Sequence, residues 1–381
     1  MGKFRFTVTH RDSQTKARTG LLETPHGIVE TPVFMPVGTQ GTVKGLSQAA
    51  LEELGVQILL ANTYHLYLRP GEQVIREMGG LHSFMSWNRF ILTDSGGYQI
   101  YSLRTLRKIS DEGVEFRSHL DGSPHLLSPE RVLEIQTALG SDIMMVLDDC
   151  PEFPASRTTV QKAVDRTLLW ADRSMRAWER MLSGDGARPP GALFGIVQGG
   201  TDLELRRECA KHLAAMEFPG YAMGGLSLGE ARPVTYEMVA AAREYLPEEK
   251  PRYVMGVGLP EELAHYVAEG VDMMDCVLPT RNGRNGYLFT SQGRLHIRQV
   301  RYARDPLPID ETCSCPVCRR YSRAYLRHLF VAGEMLGGIL NSCHNIFFYL
   351  DTMHRIRQTI AAGGFSRFLS DFSSRLLGEV P

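Results

Sequence analysis

Residues 192–200 read Ala-Leu-Phe-Gly-Ile-Val-Gln-Gly-Gly. The run Leu193–Val197 is apolar throughout, and Gln198 with two glycines follows it. A strand with one wet face would alternate. A run without alternation suits a strand buried on both sides, as in a parallel sheet covered by helices. Seven more short, largely apolar runs share this character: Val33–Pro36, Gln57–Ala61, Phe90–Thr93, Ile143–Leu147, Tyr221–Gly224, Tyr253–Val257 and Val271–Met274. Segments of helical periodicity separate them, at Ser128–Leu139, Thr158–Leu182, Leu203–Met216, Val234–Tyr245 and Glu261–Ala268. The first opens Ser-Pro-Glu, an N-cap followed by proline at the first helical position. Eight β–α units predict an α/β fold, a (β/α)8 TIM barrel. A doubly wound sheet is the rival, but no GxGxxG follows the first strand.

The remainder arranges itself around that core. Phe4–Val8, Gly20–Leu22 and Gly27–Val29 alternate with turn residues and predict a short N-terminal antiparallel β segment. Ser183–Gly191 (SGDGARPPG) reads as a loop, since β–α units continue on both sides. Residues 281–350 break the rhythm and hold the crowded cysteines. They are expected to form an inserted subdomain within one barrel domain spanning 1–381, with a last helix from about Asp351. The 42 Lys+Arg balance 43 Asp+Glu, and hydrophobic residues make up 43%. This excludes a disordered or collagen-like chain and a polybasic binder, so any nucleic-acid surface must be a local patch. No apolar run reaches the ~18–20 residues of a membrane span. The N-terminus MGKFRFTVTH lacks a signal-peptide core, so the expected location is cytoplasmic.

In such a barrel the chemistry lies at the C-terminal ends of the strands. The residues that close or follow five of the runs are Asp94-Ser95-Gly96-Gly97, Asp148-Asp149-Cys150, Gln198-Gly199-Gly200, Gly224-Gly225-Leu226 and Asp275-Cys276. One aspartate after a strand could simply cap the next helix. Three at matching positions, with a glutamine that caps poorly, point to a pocket in which acids divide the labour of attack and proton transfer. Paired acids are the usual equipment for breaking a bond at an anomeric carbon.

Cys313-Ser314-Cys315-Pro316-Val317-Cys318 is C-x-C-x2-C, a thiolate spacing that fits tetrahedral Zn2+. A fourth ligand is required, and Cys343, His344, His328 and His354 are available. The total of seven cysteines is odd and argues against a disulfide framework. Ten arginines fall between Arg281 and Arg327, against three acids, which suggests a phosphate-binding patch. A solvated helix face is the plainer alternative.

DSGGYQ at 94–99, FGIVQGG at 194–200, GGLSLGE at 224–230, YVMGVGLP at 253–260 and VDMMDCVLPTRNGRNG at 271–286 resemble bacterial tRNA-guanine transglycosylases. So does the CxCxxC cluster followed by SCHNIFFYLDTMHRIR, and the match runs in order from about residue 5 to 375. The resemblance implies a barrel with an inserted zinc-binding subdomain. It also implies an enzyme, a glycosyltransferase that exchanges guanine at the tRNA wobble position for a 7-deazaguanine base. By motif it makes Asp275 the nucleophile at the ribose anomeric carbon and Asp94 the general acid/base. Asp148, Gln198 and Gly225 become the base-recognition set, with Tyr98 and Met255 stacking on the purine. Leu226 would face the substituent at position 7, and Glu230 would steady that peptide. Arg281 and Arg284 would contact RNA, and Cys313, Cys315, Cys318 and His344 would hold zinc. Cys150 and the bulky Leu228 favour 7-aminomethyl-7-deazaguanine over queuine, and a homodimer is the family's common state. A barrel glycosidase using the same acids and a non-catalytic tRNA-binding subunit are the competing readings.

Overall fold

The computed structural model describes residues 4–101, 107–184 and 188–376; positions 185–187 of the loop at 183–191 lie outside the described residues. Among the described residues sixteen strands are formed: β1 Arg5–Arg11, β2 Arg18–Thr24, β3 Gly27–Thr31, β4 Val33–Pro36, β5 Ile58–Ala61, β6 Phe90–Thr93, β7 Arg107–Ser110 and β8 Gly113–Arg117; then β9 Pro124–Leu127, β10 Ile143–Met145, β11 Ala192–Val197, β12 Gly220–Met223, β13 Arg252–Val254, β14 Met273–Cys276, β15 Tyr287–Thr290 and β16 Gly293–His296. Eight pair in parallel in the order β4-β14-β13-β12-β11-β10-β6-β5. A bridge between Val37 and Leu60 joins the two ends and closes the barrel. Each of the eight apolar runs contributes one barrel strand, as expected for strands covered on both faces.

The boundaries differ from the sequence reading where side chains decide them. β13 ends at Val254 rather than Val257, because Gly256 turns the chain at φ +67° and sends its amide to Asp275. β14 begins two residues late. Asp272 ahead of it is consumed by a buried ion pair with Arg18 at 2.6 Å, so Asp275 sits inside the strand rather than past it.

The antiparallel sheet β1-β2-β3 covers the end of the barrel where strands begin. Arg18 of β2 reaches Asp272, which precedes β14, and donates to the Lys250 carbonyl ahead of β13. His26, in the turn between β2 and β3, meets Asp142 ahead of β10. The opposite end is left for the site.

The helix expected from about Asp351 runs from Met335 to Ala361. Its first half carries Gly337, Gly338, Asn341 and Ser342, poor helix formers in isolation. They are selected by packing instead. A Cβ on Gly283 would lie 2.7 Å from the Ser342 amide, so the helices Leu278–Arg284 and Met335–Ala361 meet backbone to backbone there. A second small core, with Leu288, Leu295, Ile297 and Val317 among its members, lies beneath the cysteines. The β7-β8-β9 sheet and the helices at 48–53, 63–68, 72–77 and 81–85 were not visible in the sequence. They are too short for periodicity to register. Among the described residues no helix is long and apolar enough to cross a membrane.

Candidate active site

The C-terminal ends of the barrel strands enclose a cavity of about 650 Å3. Asp94, Tyr98, Asp148, Cys150, Gln198, Gly225, Leu226, Glu230, Met255, Asp275 and Arg281 all line it. Sequence positions far apart thus converge because each follows, or closes, a barrel strand.

Three carboxylates are held differently. Asp94 accepts the Thr63 amide on Oδ1 at 2.8 Å and the Asn62 side-chain amide on Oδ2. Burial pushes its pKa up to about 6, the donors opposing and the nearby Asp275 charge adding. Asp148 accepts Gln198 Nε2 at 2.7 Å and the Ser95 hydroxyl at 3.2 Å, and burial pushes it up to about 6 as well. Asp275 is also raised by burial, against the donors it gains from the Gly256 amide and the Tyr253 hydroxyl. Both of those bonds fall on Oδ1, the amide at 2.8 Å. Oδ2 keeps its lone pairs uncommitted among the described residues. Tyr253 stays protonated, its pKa driven upward by burial and by the Asp275 charge.

The neighbouring glycines are dictated by this crowding. Gly225 has φ +65°, and a Cβ there would lie 2.3 Å from Gln198 Oε1. On Gly97 it would lie 3.1 Å from the Asp148 carbonyl oxygen. Gln198 Oε1 itself is buried without a hydrogen-bond partner among the described residues, an acceptor available to a ligand donor. Glu230 accepts the Leu228 amide at 2.9 Å, the Thr235 hydroxyl at 2.9 Å and the Ser227 amide, fixing the turn that carries Leu226 and Leu228. Ser227 adopts φ +58° in that turn. Tyr98 is 55% exposed at the mouth, Met255 is partly buried, and burial pushes the Cys150 thiol up.

Sequence reasoning missed four of the supporting groups. Asn62 and Thr63 directly follow the second apolar run, so the rule that found Asp94 could have found them. Tyr253 lies inside a run and reads as core. Arg206 reads as part of an amphipathic helix, yet it is fully buried. Its guanidinium donates to the carbonyls of Val197, Gly200 and Gly224, and burial lowers its pKa to about 10. It clamps the ends of β11 and β12 beside Gln198 and Gly225.

The arginine patch divides. Arg281 and Arg284 are exposed on the helix Leu278–Arg284, and Arg281 lies on the cavity rim. Arg294 pairs with Glu261 and Arg323 with Asp305, so these two serve the fold. Cys313, Cys315, Cys318 and His344 bring their ligand atoms within 4.8 Å of one another. His344 Nε2 donates to the Phe289 carbonyl at 2.7 Å, which leaves Nδ1 as the lone pair facing the three sulfurs at 3.4–3.8 Å. This second bond is the kind that orients a metal-bound imidazole. Three thiols around one imidazole lone pair, buried together, fit a closed Cys3His site. Of the four residues available as fourth ligand, His344 is the one brought to the sulfurs.

The family model for queuine tRNA-ribosyltransferase matches residues 12–377. A queuine tRNA-ribosyltransferase of Thermoanaerobacter pseudethanolicus is 54% identical over 372 residues, covering 98% of this chain and 97% of its own. One from Koribacter versatilis is 57% identical over 363 residues, covering 94% of each chain. A third, from Caldanaerobacter subterraneus, is 52% identical over 379 residues, with 100% of this chain and 99% of its own aligned.

Proposed function

The chain belongs to the queuine tRNA-ribosyltransferase family, enzymes of the pentosyltransferase class, and on that premise we propose how its own residues perform tRNA-guanine exchange. Asp275 Oδ2 attacks the ribose anomeric carbon of the target nucleotide. Guanine departs with the glycosidic electron pair, leaving a ribosyl ester on the aspartate. Tyr253 and the Gly256 amide hold the other oxygen and aim the attacking one. Asp94, with a pKa of about 6, delivers a proton to the leaving base and removes one from the incoming base. A value this close to neutral suits both directions of transfer. The incoming 7-deazaguanine nitrogen then attacks the same carbon and releases Asp275.

Asp148 and Gln198 offer acceptors and a donor at the purine edge, with the Gly225 amide beside them. Tyr98 and Met255 take the faces of the ring, and Cys150 fills the wall behind. Leu228 narrows the region reached through Leu226 and Glu230, which favours 7-aminomethyl-7-deazaguanine over the larger queuine. Arg281 and Arg284 bind backbone phosphates beside the target nucleotide. Zinc at Cys313, Cys315, Cys318 and His344 would supply a structural cross-link for the inserted subdomain at 281–350, remote from the strand ends, and takes no part in the chemistry. The exposed apolar side chains Val331, Met335, Leu336 and Ile339 support a homodimer. The expected setting is the cytoplasm, where tRNA is modified.

The observation that carries this reading is the convergence of Asp94, Asp148, Gln198 and Asp275 on one cavity, with Asp94 biased by burial toward the protonated form a general acid needs and Asp275 given two donors that favour its ionised form. Labelled guanine incubated with the enzyme and total tRNA should enter the tRNA, and 7-aminomethyl-7-deazaguanine should chase it out where queuine does not. Release of guanine without incorporation would identify a hydrolase instead.

A further inference from the structure

At the end of the barrel opposite the active site, three chemistry-bearing side chains meet that the exchange reaction does not use. His26 comes from the turn between β2 and β3, His82 from the helix Leu81–Met85, and Asp142 from the residue ahead of β10. His26 Nδ1 lies 2.6 Å from Asp142 Oδ1, and His82 Nε2 lies 3.2 Å from Oδ2. The two imidazoles stack with centroids 3.6 Å apart. The Asp142 side chain is 4% exposed and the His82 side chain 11%, while His26 remains 35% exposed. The Ile91 amide donates to Asp142 Oδ2 at 2.9 Å and fixes the carboxylate in place. The three residues border a cavity of about 920 Å3 whose walls include Arg188, Trp178 and Lys250.

We propose that His26, His82 and Asp142 form a second metal site, for a divalent first-row transition ion, at the N-terminal end of the barrel. The donors converge: one ligand atom from each residue lies within 4.8 Å of the other two. Two imidazoles and one carboxylate form a mixed N/O set of the kind such ions take, whereas Mg2+ and Ca2+ want oxygen. Bonds of ~2.0–2.2 Å in tetrahedral geometry place ligand atoms roughly 3.4 Å apart. The His82 contact is already near that spacing. The His26 contact must open by somewhat less than 1 Å, and the His26 ring, now stacked at 13° on His82, must turn until both ring planes meet at the ion; His26, on a turn and with its side chain 35% exposed, is the member free to do so. Remaining coordination positions open onto the cavity, where water completes the shell. The ion takes the place of the protons now shared between each ring and Asp142. Bound there, it would staple the β1–β3 sheet to the barrel through three separate elements. Arg188 borders the same cavity, donates to the Gly79 carbonyl at 2.6 Å and works against a dication.

The test is a Co2+ titration of the full-length, zinc-loaded protein, followed by visible absorption and by metal analysis after gel filtration. One further equivalent of cobalt is expected, with weak d–d bands and no thiolate charge-transfer band. His26→Ala should weaken that equivalent at least tenfold and keep its circular dichroism and guanine exchange, because the turn is exposed and remote from the chemistry. His82→Gln should do the same to cobalt. Arg188→Ala should tighten binding several-fold by removing a like charge. Absence of a second equivalent, thiolate bands from displaced zinc, or unchanged affinity in His26→Ala would overturn the proposal.

Discussion

At the scale of single residues, the site works by burying carboxylates and then choosing which donors to give each one. Asp148 receives the Gln198 amide and the Ser95 hydroxyl, yet burial still leaves it at about 6, against an ordinary value of 3.8. Between those two pH values the folded chain binds more protons at Asp148 than the unfolded chain. Its contribution to stability is therefore most favourable near pH 4 and is lost as pH rises to 6, a change on the order of a few kcal/mol at most. Asp148→Asn cannot titrate. Denaturant melts of the variant and the wild type between pH 4 and 7 should show the variant gaining relative stability as pH rises. A constant difference across that range would mean that Asp148 is not desolvated as described. The same variant should bind the free base poorly, since an amide cannot offer a purine edge two acceptors.

Elements decide what those residues can reach. The helix Leu278–Arg284 follows β14 directly, so Asp275 and Arg281 both line the cavity from adjoining elements. Its packing depends on Gly283 lying against the backbone at Ser342. Arg281 and Arg284 project from this helix with no carboxylate partner among the ion pairs of the described residues. Replacing Arg281 with Ala should weaken tRNA binding, lower the slope of log affinity against log salt by about one, and leave binding of the free base unchanged. Equal loss for both ligands would place Arg281 in the base pocket. Elements also mark the limit of what the sequence disclosed. The eight strands were legible because burial on both faces leaves an unbroken apolar run. The aspartates were legible because the barrel exposes strand ends at one face. Tyr253 was hidden inside such a run, and Arg206 behind a helix with ordinary amphipathic spacing. Residues 335–350 concealed half a helix, since their glycines serve a close helix–helix approach that no local propensity reports.

On the scale of the whole molecule the barrel has two ends with different duties. The N-terminal sheet locks one end through Arg18–Asp272, the strand ends at the other enclose the cavity, and Cys313, Cys315, Cys318 and His344 gather in a cluster of their own. If zinc closes that cluster, Cys315→Ser should lower zinc content and thermal stability together, because metal binding and folding of the subdomain are linked. Loss of metal with unchanged melting and abolished exchange would make the site catalytic instead. The claim on which everything else rests is that Asp275 carries the ribosyl group between the two bases. It is tested most directly by incubating enzyme with tRNA and separating the products under denaturing conditions. Wild type should give a shifted protein–RNA band. Asp94→Asn should form it ~10²–10⁴-fold more slowly, the usual worth of a positioned proton donor. Asp275→Asn should bind tRNA in native gels and give no denaturation-resistant band. A band that persists in Asp275→Asn and is absent altogether from Asp94→Asn would contradict the account and exchange the two roles.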